Sequence, residues 1–129
     1  MQLNLLRHTP VFFVYKLEKV IASLIEKLNS QNDFWSLTIS PKEVSVVCSL
    51  ELQESVQSKE GPWVLYEVEG PLDFSLTGIL VAVAKPLAEA GISIFAISSH
   101  DTDFVLVKKE MANQTERVWE ESGFKVSKT

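Results

Sequence analysis

Leu76-Thr77-Gly78-Ile79-Leu80-Val81-Ala82-Val83-Ala84-Lys85-Pro86-Leu87-Ala88-Glu89-Ala90-Gly91-Ile92-Ser93-Ile94-Phe95-Ala96-Ile97-Ser98 decides the fold. Ile79, Val83 and Leu87 recur at helical spacing with Leu80 beside them, which predicts a helix from about Leu76 to Ala90. Gly91 closes it, because glycine takes the positive φ that a helix end requires. Pro86 lies inside the helix and removes the hydrogen bond to Ala82, so a bend is expected. Ile92 to Ser98 then reads as a strand. Ile92, Ile94 and Ala96 alternate with Ser93, Phe95 and Ile97, so both of its faces are largely apolar.

Working outward, Trp63 to Glu69 is the strand before the helix, stopped by Gly70-Pro71. On the other side, His100-Asp101-Thr102-Asp103 suits a turn, and Phe104 to Val107 suits a strand. A last helix over Met111 to Ser122 turns Met111, Thr115, Val118 and Trp119 inward. Gly123 ends it, and Phe124-Lys125-Val126 closes as a strand. The order is β-α-β-β-α-β. Right-handed crossovers put both helices on one face of a four-stranded, largely antiparallel sheet. The fold class is α+β.

The first half is less regular. Leu3 and Leu5, then Val11 to Tyr15, predict two short strands broken at Thr9-Pro10, since proline lacks the donor a ladder needs. Leu17, Val20, Ile21, Leu24, Ile25 and Leu28 fall on one helical face. Phe34 to Ile39 and Glu43 to Ser49 read as strands joined by the turn Ser40-Pro41-Lys42. Leu50 to Lys59 is polar and suits a short helix or loop. Gly61-Pro62 is the boundary candidate, which divides the chain into 1–61 and 62–129. In element order the first half is a degraded copy of the second, with the strand near Leu3 to Leu6 replacing a missing last one.

The totals narrow the function. The chain has 129 residues, 46 % of them hydrophobic, which is ample for a packed interior. A net charge of −5 disfavours nucleic-acid and anionic-membrane partners, which need clustered positive charge. One cysteine, Cys48, excludes an internal disulfide, and with two histidines a zinc set is poorly supplied. Cys48 sits in the apolar run Val44 to Cys48, where a buried strand residue is expected rather than a nucleophile. No apolar run reaches the ~18 residues of a membrane span. The start, Met1 to Arg7, lacks a secretory leader, so a cytoplasmic location is expected. No phosphate-cradling loop, nucleophile turn or acid/base constellation is present, so neither a cofactor nor an enzyme is expected.

From Thr77 to Val107 the sequence resembles the ACT domain, a small ferredoxin-like βαββαβ module that binds amino acids in regulatory proteins. Thr77-Gly78-Ile79-Leu80 and Leu87-Ala88-Glu89-Ala90-Gly91-Ile92-Ser93-Ile94 carry the resemblance. Thr77 departs from it, since many members have proline there. Glu69 to Gly78 and Ile97 to Val107 are similar to a subfamily of stand-alone paired-ACT proteins, related to the repeats of the cytosolic arginine sensors. Phe34 to Thr38 and Glu43 to Val47 look like that subfamily's first ACT-like part. The Leu17 to Leu28 segment departs from it, since the subfamily has a short loop there. The resemblance implies two ACT-like units, the second complete and the first degenerate. It also implies ligands near the first loop and helix start of one unit, facing strands of another.

The loop Asp73-Phe74-Ser75-Leu76-Thr77-Gly78, with Ile79 at the helix start, is the first candidate site. A glycine admits close approach to the backbone, and the free N–H groups of a first turn attract a carboxylate. Ser75 or Thr77 acting only as a helix cap is the alternative. Asp101 and Asp103 are acceptors for an α-ammonium, or else plain turn residues. Asp103 resembles a ligand-contacting aspartate of the arginine sensors and is favoured on that ground. Ser98 and Ser99 add hydroxyls at the neighbouring strand end. Trp35, Trp63 and Trp119 are expected as core or interface anchors, and His8 and His100 as surface residues. These readings lead to a non-catalytic sensor of an amino acid effector, without metal. It is expected to be a homodimer, because the second apolar face needs cover, and to report occupancy through that dimerisation or through contact with another protein. A scaffold module with a degenerate site is the rival.

Overall fold

A computed structural model describes residues 2–69 and 78–129. The strands are β1 (Asn4–Leu17), β2 (Ser36–Ile39), β3 (Val44–Cys48), β4 (Val56–Val68), β5 (Phe95–Ser98), β6 (Asp103–Lys108) and β7 (Lys125–Lys128). The helices are α1 (Leu24–Asn29), α2 (Ile79–Glu89) and α3 (Ala112–Glu121), the last entered through a 3-10 turn at Lys109–Met111. The chain forms two compact units. One comprises Met1–Thr9 and Trp63–Thr129, the other Pro10–Pro62.

In the first of these, the strand order is β7-β1-β4-β6-β5. Trp63 to Glu67 run antiparallel to Lys108 to Phe104, with Val64 opposite Val107 and Tyr66 opposite Val105. Opposed residues share a face, so this register lays one apolar row under the helices. Leu5, Val64, Tyr66, Val68, Val105 and Val107 meet Ile79, Val83 and Leu87 of α2 and Ala112 and Trp119 of α3 in one core. The Trp119 indole N–H donates to the Val83 carbonyl at 2.9 Å, tying α3 to α2. Its ring meets Tyr66 edge-on at 4.8 Å and 85°. Burying each such large side chain is worth about 1.5–3 kcal/mol. On the opposite face of the same strands, Leu65 lies across from Leu106, and both are fully buried.

In the unit of Pro10–Pro62 the order is β2-β3-β1-β4. Phe13 to Leu17 pair antiparallel with Cys48 to Val44, and Ser36 to Ile39 with Val47 to Val44. Tyr15, Leu17, Val46 and Cys48 pack on Leu24 and Leu28 of α1 and on Leu52. The Tyr15 hydroxyl donates to the Leu50 carbonyl at 2.7 Å and accepts from the Leu52 N–H at 3.1 Å, pinning the segment between β3 and β4. Burial pushes the Cys48 thiol up, which keeps it protonated and unreactive near neutral pH.

Several expectations are corrected. The two strands split at Thr9-Pro10 are one strand of 14 residues. Proline removes only its own donor. On one edge of β1 the partner is β7 as far as Arg7 and β3 from Phe13, and Pro10 falls between these two ladders. Likewise β4 runs straight through Gly61-Pro62. The helix expected over Leu17 to Leu28 is confined to Leu24–Asn29, because Leu17 is the buried last residue of β1, opposite Val44. Leu50 to Lys59 holds no helix, and its second part belongs to β4. The expected four-stranded sheet has a fifth member. Residues 4–7 of β1 pair in parallel with Lys125 to Lys128 and thereby sit between β7 and β4. The helix start expected at Leu76 lies outside the described residues; from Gly78 onward α2 follows the expectation, with Pro86 inside it. In and before β5, Ile94, Phe95 and Ile97 are half-buried and Ala96 is exposed.

Candidate functional site

Gly78 stands immediately before α2 at φ +78°, the left-handed region that glycine takes without strain. The Ala82 N–H bonds to the Gly78 carbonyl at 2.8 Å, as the first full helical bond. The N–H groups of Ile79, Leu80 and Val81 precede that bond and have no acceptor within the helix. A Cβ at Gly78 meets no described atom within 4 Å. The Ile79 side chain instead points into the core, so only its backbone is available to a ligand. Asp73, Phe74, Ser75, Leu76 and Thr77 lie outside the described residues.

The other candidates assemble at the hairpin between β5 and β6. Ser98 and Asp103 are directly opposed across the ladder. The Ser98 hydroxyl donates to Asp103 Oδ1 at 2.6 Å, a short charge-assisted bond. Asp103 is half-buried. The Ser99 hydroxyl donates to the Thr102 carbonyl at 3.0 Å, and the Ser99 N–H reaches the same carbonyl at 2.9 Å. Asp101 is exposed and pairs only locally, with His100 at 2.8 Å.

Thr102 is the residue that sequence reasoning missed. It is buried, and its hydroxyl donates to the carbonyl of Val68, the last residue of β4. This bond docks the turn on the strand end two residues before Gly70. The Ser98–Asp103 pair is therefore held at the end of β4 from which residues 70–77 lead to Gly78. The only hint in the sequence is a β-branched residue in an otherwise polar turn.

Between β1 and β4, His8 bonds Glu67 at 2.9 Å and Asn4 donates to Glu69 at 2.8 Å. His8 is thus part-buried rather than a free surface residue, and Glu67 and Glu69 serve the strand pairing. Of the tryptophans, Trp119 is a core anchor, Trp63 is buried beside Phe95 at 6.4 Å, and Trp35 packs on the core of the other unit.

The model of the ACT domain matches residues 59–118. The cytosolic arginine sensor for mTORC1 subunit 1 of Bos taurus is 27 % identical over 129 aligned residues, covering 85 % of this chain and 39 % of the bovine protein. The protein CASTOR3P of Homo sapiens is 35 % identical over 89 residues, covering 59 % of this chain and 55 % of the human one. The chain thus spans from about two fifths to about half the length of these curated relatives. Among solved structures, protein Atu0741 of Agobacterium tumefaciens shares the fold with a TM-score of 0.85 at 25 % identity, over 100 % of this chain and 95 % of that one. Residues 59–118 thus match the ACT domain, and the chain is similar in sequence to a cytosolic arginine sensor.

Proposed function

We propose that this protein senses a free amino acid and performs no catalysis. In this reading the chain is a tandem of ACT-like units, 1–61 and 62–129 in sequence with residues 1–9 packed into the second, acting in the cytoplasm as a homodimer and passing on occupancy through dimerisation or by contact with a further protein. The observation that carries the reading is the docking of the Ser98–Asp103 pair, through Thr102, on the strand end that leads toward Gly78. The N–H groups at the start of α2, which have no acceptor within the helix, suit an α-carboxylate, and the Asp103 carboxylate suits an α-ammonium. Ser98, Ser99, Ile79 and residues 73–77 complete the proposed lining. A relative whose name is that of an arginine sensor points the same way.

One observation favours the rival, an interaction module with an unused site. Asp103 already satisfies one oxygen with Ser98. A thermal-shift screen of the twenty amino acids separates the two readings. A ligand that binds only the folded state adds about 2.7 kcal/mol at a concentration one hundred times its Kd, so the melting temperature must rise. No shift with any amino acid at millimolar concentration would sink the sensor reading. Sedimentation showing only monomer at micromolar concentration would remove the dimer.

A further inference from the structure

The unit of Pro10–Pro62 has a groove of its own, about 390 Å³ in volume, at the end of β1 where the β2–β3 turn comes up beside it. Its polar lining is Lys16, Glu18, Ser40, Lys42, Glu43 and Gln57, over a floor that includes Leu17 and Val44. Leu17 is buried and lies opposite Val44 in the ladder, so the floor is fixed by sheet register. The turn is fixed as well. The Ser40 hydroxyl accepts from the N–H groups of Lys42 and Glu43, each at 3.2 Å, and the Ser40 N–H donates to the Glu43 carbonyl at 2.9 Å. The Glu18 N–H bonds the Ser55 carbonyl at 2.8 Å and secures the other wall.

Two ammonium groups and two carboxylates therefore line one groove on pinned backbone. Among the described residues none of the four takes part in an ion pair, and they do not neutralise one another. Opposite charges held apart on a rigid frame suit a guest that carries both signs at once. A carboxylate answers Lys16 or Lys42, and an ammonium answers Glu18 or Glu43. The volume lies within the range of about 300–1,000 Å³ usual for small-molecule sites. We propose that this groove binds a small zwitterion, a free α-amino acid, at a second site separate from that of Gly78 and Asp103.

The test is a 15N NMR titration of the full chain with each of the twenty free amino acids, followed for the best binder by its N-acetyl and carboxamide derivatives. Saturable shifts are expected at the amides of Lys16, Glu18, Lys42, Glu43 and Gln57. Each derivative lacks one charge and should bind about tenfold more weakly or worse. The paired variants Lys16→Gln with Lys42→Gln, and Glu18→Gln with Glu43→Gln, should each weaken binding by about the same factor. These side chains other than the floor are exposed, so circular dichroism should report an unchanged fold. Asp103→Asn should leave the groove shifts intact, which separates this site from the one proposed above. Shifts confined to the surroundings of Gly78 and Asp103, equal binding of the derivatives, or no shifts at all would overturn the proposal.

Discussion

Arg7 and Tyr66 converge on the same atom. The guanidinium of Arg7 meets Glu116 Oε2 at 2.8 Å, and the Tyr66 hydroxyl donates to that oxygen at 2.6 Å. One carboxylate on α3 thus fastens β1 and β4 together from above the sheet. Arg7 and Glu116 are only 24 % and 17 % exposed, so the pair is poorly screened by solvent.

Arg7→Met is expected to destabilise the fold by about 1–3 kcal/mol, since it leaves a partly buried carboxylate short of its cation. Urea unfolding measures this. In the double variant with Glu116→Gln most of the loss should be recovered, because the orphaned charge is gone. Purely additive losses would show that Arg7 acts by packing alone.

Tyr66 gives the fold an alkaline limit. Burial, helped by the hydrogen bond to Glu116, raises its pKa far above the ordinary value of about 10. Burial raises Tyr15 as well. A folded state that keeps protons the unfolded chain has released loses stability as pH climbs. Stability should therefore be level on this account below about pH 10 and fall above it. Tyr66→Phe should lower stability by about 1 kcal/mol at neutral pH and flatten the alkaline decline. An unchanged decline in the double variant with Tyr15→Phe would rule these two groups out as its cause.

Asp103→Asn should weaken amino-acid binding by about ten- to a hundredfold, the worth of one charge-assisted bond. The neutral amide still accepts from Ser98, so the melting temperature without ligand should hardly move. Asp101→Asn should do little to binding, since that side chain faces solvent beside His100. Calorimetry decides, and equal effects at both positions would refute the assignment.

At Gly78, alanine and valine probe different things. Both must adopt φ near +78°, at a penalty of about 1–2 kcal/mol for alanine and more for the branched side chain. The added Cβ meets no described protein atom within 4 Å. If a ligand lies against this backbone, Gly78→Val should reduce affinity well beyond Gly78→Ala. Equal affinities for the two variants would place the ligand elsewhere.

Residues 62–129 expressed alone should not fold cooperatively. They lack Leu5, which is fully buried in their core, and the strand between β7 and β4. A sigmoidal urea transition with native-like near-UV circular dichroism in that fragment would contradict this.

The helical face of α2, the glycine after it and the closing β-α-β of the second half were legible because period and punctuation agree there. Ile79, Val83 and Leu87 are all buried, as their spacing requires. Pro10 and Pro62 misled as strand breaks for one shared reason, although one compact unit does end at Pro62. Proline forbids a donor at one position, but whether a strand tolerates the loss depends on its neighbours across the sheet, which local sequence does not contain. Leu17 misled because a residue that ends a strand and one that starts a helix both want burial. The place of residues 4–7 between β4 and β7 was not legible at all. Parallel pairing over 121 positions, from Asn4 to Lys125, leaves no local trace. Thr102 shows the same limit at the site, where one hydroxyl finds its acceptor 34 residues away.

That parallel pairing also orders events in time. Asn4 to Arg7 are made before everything they pair with, and Lys125 to Lys128 are made after nearly all of it. During synthesis one edge of residues 4–7 stays unpaired until Lys125 to Lys128 have emerged, while their other edge waits only for β4. Pairings this distant in sequence form late and slowly. Over that interval the open edge of residues 4–7 can take a wrong strand, and a chaperone that covered it would remove that hazard.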